Sequence, residues 1–135
     1  MPDFRVLSDS VFASPQIALE DITAAKDAGV SLIVNNRPDG EEPGQPTSAE
    51  IAAAAEEAGL EYHHFPVTAM DFPGGDIEQM ADFFDDEQRP VFAFCRTGTR
   101  CTNLWVVSRE ADEQDAAAAR ASGIGFDLSM AARVL

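Results

Sequence analysis

The chain carries one lysine, one tryptophan, one tyrosine and two cysteines in 135 residues. Against that single lysine stand 24 acidic residues, so eight arginines supply the rest of the positive charge and the formal net charge is −15. A surface of this sign repels nucleic-acid phosphates and anionic bilayers, and neither is an expected partner. Two cysteines are too few for a disulfide scaffold. No stretch approaches the roughly 20 apolar residues that span a bilayer. The opening MPDFRVLSDS lacks the cationic start and apolar run of a secretory signal. Together these absences predict a cytoplasmic protein whose cysteines are thiols, with no metal and no cofactor.

What is present suits one compact domain over residues 1–135, with 45% hydrophobic and 24% charged residues. Short apolar runs alternate with alanine-rich segments of helical period, the pattern of an α/β fold with a mainly parallel central sheet flanked by helices. Strands are predicted near Phe4–Val6, Val11–Ala13, Ser31–Val34, Glu61–Phe65 and Val91–Phe94. The last, VFAF, has no polar alternation and reads as covered on both faces. Helices are predicted over Ile17–Ala28, Ala49–Ala58, Ile77–Phe84, Cys101–Arg109 and Glu113–Ala121, with a short turn or helix at Leu128–Arg133. Gly29 and Gly59 stand where helices stop, as residues that accept the left-handed conformation do. Thr47 and Glu50 form a capping-box pattern, and Asp76 heads a second one. Arg37–Pro46, RPDGEEPGQP, is a surface loop after a strand, a common place for functional residues.

The densest chemistry lies in FCRTGTRC, residues 94–101, between the buried strand and the helix CTNLWVVSRE. A tight strand-to-helix loop aims backbone N–H groups into one concavity, and the helix dipole adds positive potential there. Gly98 allows the curl, Thr97 and Thr99 add hydroxyls, and Arg96 and Arg100 make a local cationic spot on an acidic chain. Arg100 offers a planar fork for a tetrahedral oxyanion or a persulfide. The same features lower the pKa of Cys95 and make it an ionised nucleophile. An inert cysteine ending a strand is the plainer alternative.

The loop resembles those of two cysteine-enzyme groups. Tyrosine and dual-specificity phosphatases carry Cys-x5-Arg, usually with histidine before the cysteine, whereas rhodanese-type sulfurtransferases carry a six-residue loop commonly beginning Cys-Arg-x-Gly. Here the spacing is Cys-x4-Arg, Phe94 precedes the cysteine, and Cys101 stands where the phosphatase arginine would be. A longer resemblance runs through NNRPDGEEPGQPTSAEIAAAAEEAGLEYHHFPVT, FCRTGTRCTNLW and AARASGIGFDLS. These stretches are similar to the bacterial beta-lactamase-hydrolase-like, phosphatase-like domains, also described as sulfur transferases. The resemblance implies a cysteine-phosphatase-like fold and an active Cys95, and Cys101 departs from the serine usual at that position.

Other residues are candidates for supporting roles. Arg37 is expected at the same carboxyl edge of the sheet as the Cys95 loop, where it would orient an anion, or else pair with Asp39, Glu41 or Glu42. Asp71, in VTAMDFPGGD, sits where phosphatases place a general-acid loop, although loop aspartates are usually only solvated. Cys101 is a candidate resolving thiol if it faces Cys95, and otherwise a packed small residue. His63 and His64 are strand neighbours that point to opposite faces, which argues against a shared site. Trp105 and Leu104 read as core behind the loop.

The expectation from sequence is therefore a cysteine-dependent sulfurtransferase that carries sulfur as a Cys95 persulfide from a sulfane-sulfur donor to a thiol acceptor. The alternatives are a phosphatase acting on a phosphoester through a phosphocysteine, and a non-enzymatic anion-binding or thiol redox module.

Overall fold

In the computed structural model, which describes residues 3–135, the apolar run VFAF is the central strand of a five-stranded sheet. The strands are β1 (Arg5–Ser8), β2 (Val11–Ser14), β3 (Leu32–Asn35), β4 (Glu61–His64) and β5 (Val91–Phe94), in the order β1-β2-β5-β3-β4. All neighbours run parallel except β1, which is an antiparallel edge strand against β2. Six helices cover the sheet: α1 (Asp21–Asp27), α2 (Ser48–Ala58), α3 (Ile77–Asp85), α4 (Thr99–Val107), α5 (Gln114–Gly123) and α6 (Ser129–Ala132). The expected α/β architecture, mainly parallel and flanked by helices, is what forms.

Strand alternation divides β5 between two cores. Phe92 and Phe94 pack with Ile22 and Ala25 of α1 and with Ile51 and Ala55 of α2. Val91, Ala93 and Cys95 face the other layer, with Met80 of α3, Leu104 of α4 and Ala121 of α5. In register, Ala13, Ala93 and Val34 form one row across three strands on that second face. Their small or branched side chains fit beneath α4, where the buried face includes Leu104 and Trp105.

Hydrogen bonds continue past the strand ends. Cys95 N–H donates to Ser14 O (3.3 Å), Asn36 N–H to Phe94 O (2.9 Å) and Gln16 N–H to Arg96 O (3.2 Å). The chain segments leaving β2, β3 and β5 are thereby held together at the carboxyl edge, the side on which parallel α/β sheets place their ligands.

Several element ends differ from expectation for local reasons. The first helix starts at Asp21 rather than Ile17, because Ala18 N–H bonds the Asp21 carboxylate (2.8 Å) and Asp21 N–H bonds Ala18 O (3.1 Å), closing a turn first. The fourth starts two residues earlier than expected, at Thr99, because Gly98 itself turns into it. The Thr47–Glu50 capping box forms in full, with both reciprocal bonds. The Asp76 box does not. Asp76 lies at φ −100°, ψ 9°, away from the extended backbone of a capping residue, and only its carbonyl is used, by Met80 N–H at 2.9 Å.

Phe92 is 1% exposed and contributes one of the two aromatic rings that β5 inserts under α1 and α2. Truncation there leaves a cavity between sheet and helices. Phe92→Ala is expected to lower the unfolding free energy by about 3–5 kcal/mol in urea denaturation.

Candidate active site

The loop after β5 is organised by Gly98. Its φ of +87° belongs to the left-handed region, and a Cβ there would stand 3.3 Å from the Phe126 ring and 3.4 Å from the Ser14 backbone. Conformation and space both require glycine. Gly98 N–H points back to the sulfur of Cys95, at 3.1 Å. Its carbonyl accepts from the Cys101 thiol (3.1 Å), from the Thr102 hydroxyl (2.8 Å) and from Thr102 N–H (3.1 Å). Thr97 Oγ1 and Thr99 Oγ1 bond each other at 3.1 Å across the bend.

Cys95 is fully buried at the foot of this loop. The neighbouring Cys101 side chain, more than any other group, lowers its pKa to about 5 against the opposing effect of burial, aided by the amides of Cys101 and Thr97 and by the Arg100 charge. Burial, and then the neighbouring Cys95 sulfur, push the Cys101 thiol well above its ordinary value. The pair therefore carries one proton at neutral pH. Cys95 is the thiolate, and Cys101 keeps its proton.

Arg100 is 14% exposed and lies against Cys95, but its fork is already engaged. It donates to both oxygens of Glu41, at 2.7 and 2.6 Å, and to Val67 O at 2.9 Å. Glu41 belongs to the Arg37–Pro46 loop, and the same carboxylate takes a bond from Arg37 Nε at 2.9 Å. Sharing between two guanidinium groups, Arg100 first, lowers the Glu41 carboxyl from 4.5 to about 2 against its partial burial.

Arg37 reaches the carboxyl edge, as its position after β3 predicts, but it does not face a ligand space. It is 1% exposed, with Nη1 on Gln16 Oε1 (2.9 Å) and Nη2 on Glu42 Oε1 (3.0 Å) in addition to Glu41. It anchors the loop that holds Arg100. Arg96 is exposed and its side chain has no hydrogen bond or ion pair among the described residues.

Asp71 is fully exposed and its Oδ1 accepts Thr68 N–H (2.6 Å) and the Thr68 hydroxyl (3.0 Å). Those bonds, backbone first, lower its pKa, so it is a carboxylate at neutral pH rather than a proton donor. His63 stacks on Phe65 and bonds Glu61, whereas His64 Nε2 meets Arg37 O at 2.8 Å, so the two rings diverge as strand alternation requires. A cleft of about 660 Å³ lies at the opposite edge of the sheet, lined by Ser8, Ser10, Trp105, Arg109 and several acids. It holds neither cysteine; both lie in and beside the loop after β5.

Sequence reasoning placed Cys95, Gly98 and Arg100 in one strand-to-helix loop, and the structure does the same. It missed that Glu41 pairs with Arg100, 59 residues away, because nothing periodic links the two segments. It also missed Asn103, whose amide bonds Thr99 O and Asp127 O and whose oxygen accepts Ala131 N–H, bracing α4 against the C-terminal segment.

A buried cysteine at the mouth of a strand–loop–helix turn, on this sheet order, defines a cysteine-phosphatase-like domain. Residues 3–113 match the phosphatase-like domain of the beta-lactamase hydrolase-like proteins, and the chain belongs to that family. It is 36% identical over 103 residues to the Beta-lactamase hydrolase-like protein of Agrobacterium fabrum, an alignment covering 76% of this chain and 23% of that protein. The chain thus spans about a quarter of the length of the curated relatives it matches. Among solved structures, a Neisseria meningitidis protein classed provisionally as a phosphatase superposes with a TM-score of 0.78 at 38% identity, covering 92% of this chain and 89% of its own. Pseudomonas aeruginosa TpbA shares the fold at a TM-score of 0.69 and 14% identity, over 98% of this chain and 82% of its own.

Two measurements follow from the site electrostatics. Ultraviolet thiolate absorbance is expected to rise through about pH 5 in the folded protein. Cys101→Ala, which removes the polar neighbour, moves that inflection upward, and Cys101→Ser, which keeps one, largely preserves it. Glu41→Gln is expected to cost about 1–3 kcal/mol in urea unfolding at neutral pH, because it weakens two charge-assisted contacts. Since the folded-state pKa of Glu41 is depressed, its stabilisation is fully present above about pH 4.5 and is lost as pH falls toward about 2. The wild-type advantage over the glutamine variant shrinks accordingly in acid.

Proposed function

We propose that the chain is a cysteine-dependent phosphomonoester hydrolase that works through a phosphocysteine on Cys95. The observation that carries this reading is the Cys95 thiolate held by the Gly98 amide, with Arg100 beside it, on a phosphatase-like fold. The Cys95 sulfur attacks phosphorus, the bond to the ester oxygen breaks, and the alcohol leaves. Water then attacks the phosphocysteine, the sulfur–phosphorus bond breaks, and the thiolate and inorganic phosphate are regenerated. Arg100 and the loop amides stabilise charge on the equatorial oxygens in both steps. An entering anion competes with Glu41 for the Arg100 fork. Arg37 acts as a positioning residue through Glu41, and Arg96 is free to meet a more distant part of the substrate.

The ionised Asp71 makes a poor general acid as placed. Weakly basic leaving groups such as aryl oxides, which depart without a proton, are therefore the substrates this site handles best.

The same two features, the Cys-x4-Arg spacing and the lack of an available acid, favour a second reading. In that reading Cys95 takes sulfur from a sulfane-sulfur donor and passes it to a thiol, a transfer in which no oxygen leaving group needs a proton.

Intact-mass analysis after rapid acid quench separates the two. With an aryl phosphate, the wild type is expected to gain one phosphoryl group and to release phenol, and Cys95→Ser is expected to lose turnover by roughly 10³-fold or more. A chain that takes no phosphoryl group but gains one sulfur from thiosulfate would overturn the phosphatase reading in favour of sulfur transfer.

A further inference from the structure

The cleft at the sheet edge opposite the Cys95 loop, about 660 Å³, falls within the size range of small-molecule sites. Its floor is apolar, with Leu7, Trp105 and Ala117 reaching it from the core. Two arginines and four acids surround that floor, but they are not equally available. Arg109 is engaged by Asp85 Oδ1 (2.5 Å), by Trp105 O (3.1 Å) and by the Trp105 ring, with the guanidinium 5.7 Å from its centroid. Arg120 donates to Val6 O at 2.8 Å. Glu87, Asp112 and Glu113 are exposed, and their carboxylates meet no donor or cation among the described residues. The unmatched charge of the cleft is therefore negative.

A second feature lies in the cleft wall. Ser10 is only 5% exposed and lines the cleft. Its backbone is fully used, with N–H donating to Ser8 Oγ (3.3 Å) and the carbonyl accepting from Val91 N–H (2.8 Å), whereas its hydroxyl has no partner among the described residues. A nearly buried hydroxyl in that condition costs free energy until something polar meets it. The acids, for their part, do not gather around a point: among the described residues no three His, Cys, Asp or Glu side chains converge as ligands of a metal ion. A compact cation, which needs several oxygens within about 2.0–2.6 Å, has no seat here.

We propose that the cleft binds a linear aliphatic polyamine, whose ammonium groups meet the Glu87, Asp112 and Glu113 carboxylates and the Ser10 hydroxyl while its methylene spacers cover the floor of Leu7, Trp105 and Ala117. Each ammonium brings donors and no acceptor, so a rim of carboxylates with one hydroxyl oxygen satisfies it. The methylenes take apolar surface out of water without stranding a polar atom. The field of a chain with a net charge of −15 draws in a polycation, and the unpartnered groups of the cleft give it one place to stop. Nothing in this site depends on which group the Cys95 thiolate transfers.

Trp105 is the one tryptophan of the chain and lines the cleft, so its fluorescence reports binding there directly. The test titrates spermidine into the folded protein at about 0.15 M ionic strength, with calorimetry for the stoichiometry. One spermidine per chain and a saturable change in Trp105 emission are expected, and magnesium at matched ionic strength is expected to leave the emission unchanged. Asp112→Asn combined with Glu113→Gln is expected to weaken binding about fivefold or more, whereas Glu56→Gln combined with Glu57→Gln, the same loss of charge on α2 across the sheet, leaves it within about twofold. Ser10→Ala, which changes no charge, is expected to weaken it about threefold or more. Heat without saturation up to millimolar spermidine, a magnesium response equal to that of spermidine, or an unchanged affinity in folded Ser10→Ala overturns the proposal. So does equal weakening in the two acid pairs, the mark of diffuse attraction between a polycation and an acidic surface. The acids of both pairs are exposed, so that comparison decides the matter even where Ser10→Ala fails to fold.

Discussion

The candidate site depends on one residue, Gly98, being bonded in opposite directions at its two ends. Its N–H serves the sulfur that ends the central strand, and its carbonyl collects the thiol, hydroxyl and amide of the helix that follows. Strand and helix are thus clamped through a single left-handed turn, with no room for a side chain beside Ser14 and Phe126. The helix dipole, the burial of Cys95 and the nearness of Cys101 are all set by that turn. A residue with a Cβ would disturb every one of them at once.

The second constraint is electrostatic. On a chain with a net charge of −15 an anion site needs its positive groups isolated from the surrounding acids, yet here the principal arginine is held by one of them. Glu41 fixes the plane of the Arg100 guanidinium by gripping two of its nitrogens. It is itself fixed by Arg37, whose burial would be costly without Gln16, Glu41 and Glu42 around it. The result is a cation whose orientation is set before any ligand arrives, at the expense of some of its hydrogen-bonding capacity.

How much of this could be read in advance follows the range of the interactions. The unbroken apolar run of β5, the glycine at 98 and the Thr47–Glu50 box act over a few residues, and all three formed as their local patterns required. Asp76 carried the same kind of local pattern and failed, because its backbone, at φ −100° and ψ 9°, leaves the extended region from which a capping side chain reaches the first turn. Arg37 was placed correctly at the edge of the sheet, but its burial depends on Gln16 from another loop. The Glu41 bridge joins segments distant in sequence and left no periodic trace. Asp71 was legible as a loop acid, whereas its capture by Thr68 depends on the exact path of the turn.

The brace on α4 bears on where this domain ends as a folding unit. The family match stops at residue 113, but Asn103, which has no exposed surface, spends its amide on Asp127 O and its oxygen on Ala131 N–H. Arg120 likewise closes the open edge of the sheet by donating to Val6 O at 2.8 Å. A version trimmed at the limit of family likeness would strip partners from a polar group inside the helix that carries the cradle and reopen an edge strand to unwanted pairing. The last twenty-two residues are thus structural equipment for the loop at 95–100, although they lie beyond the span of the family match.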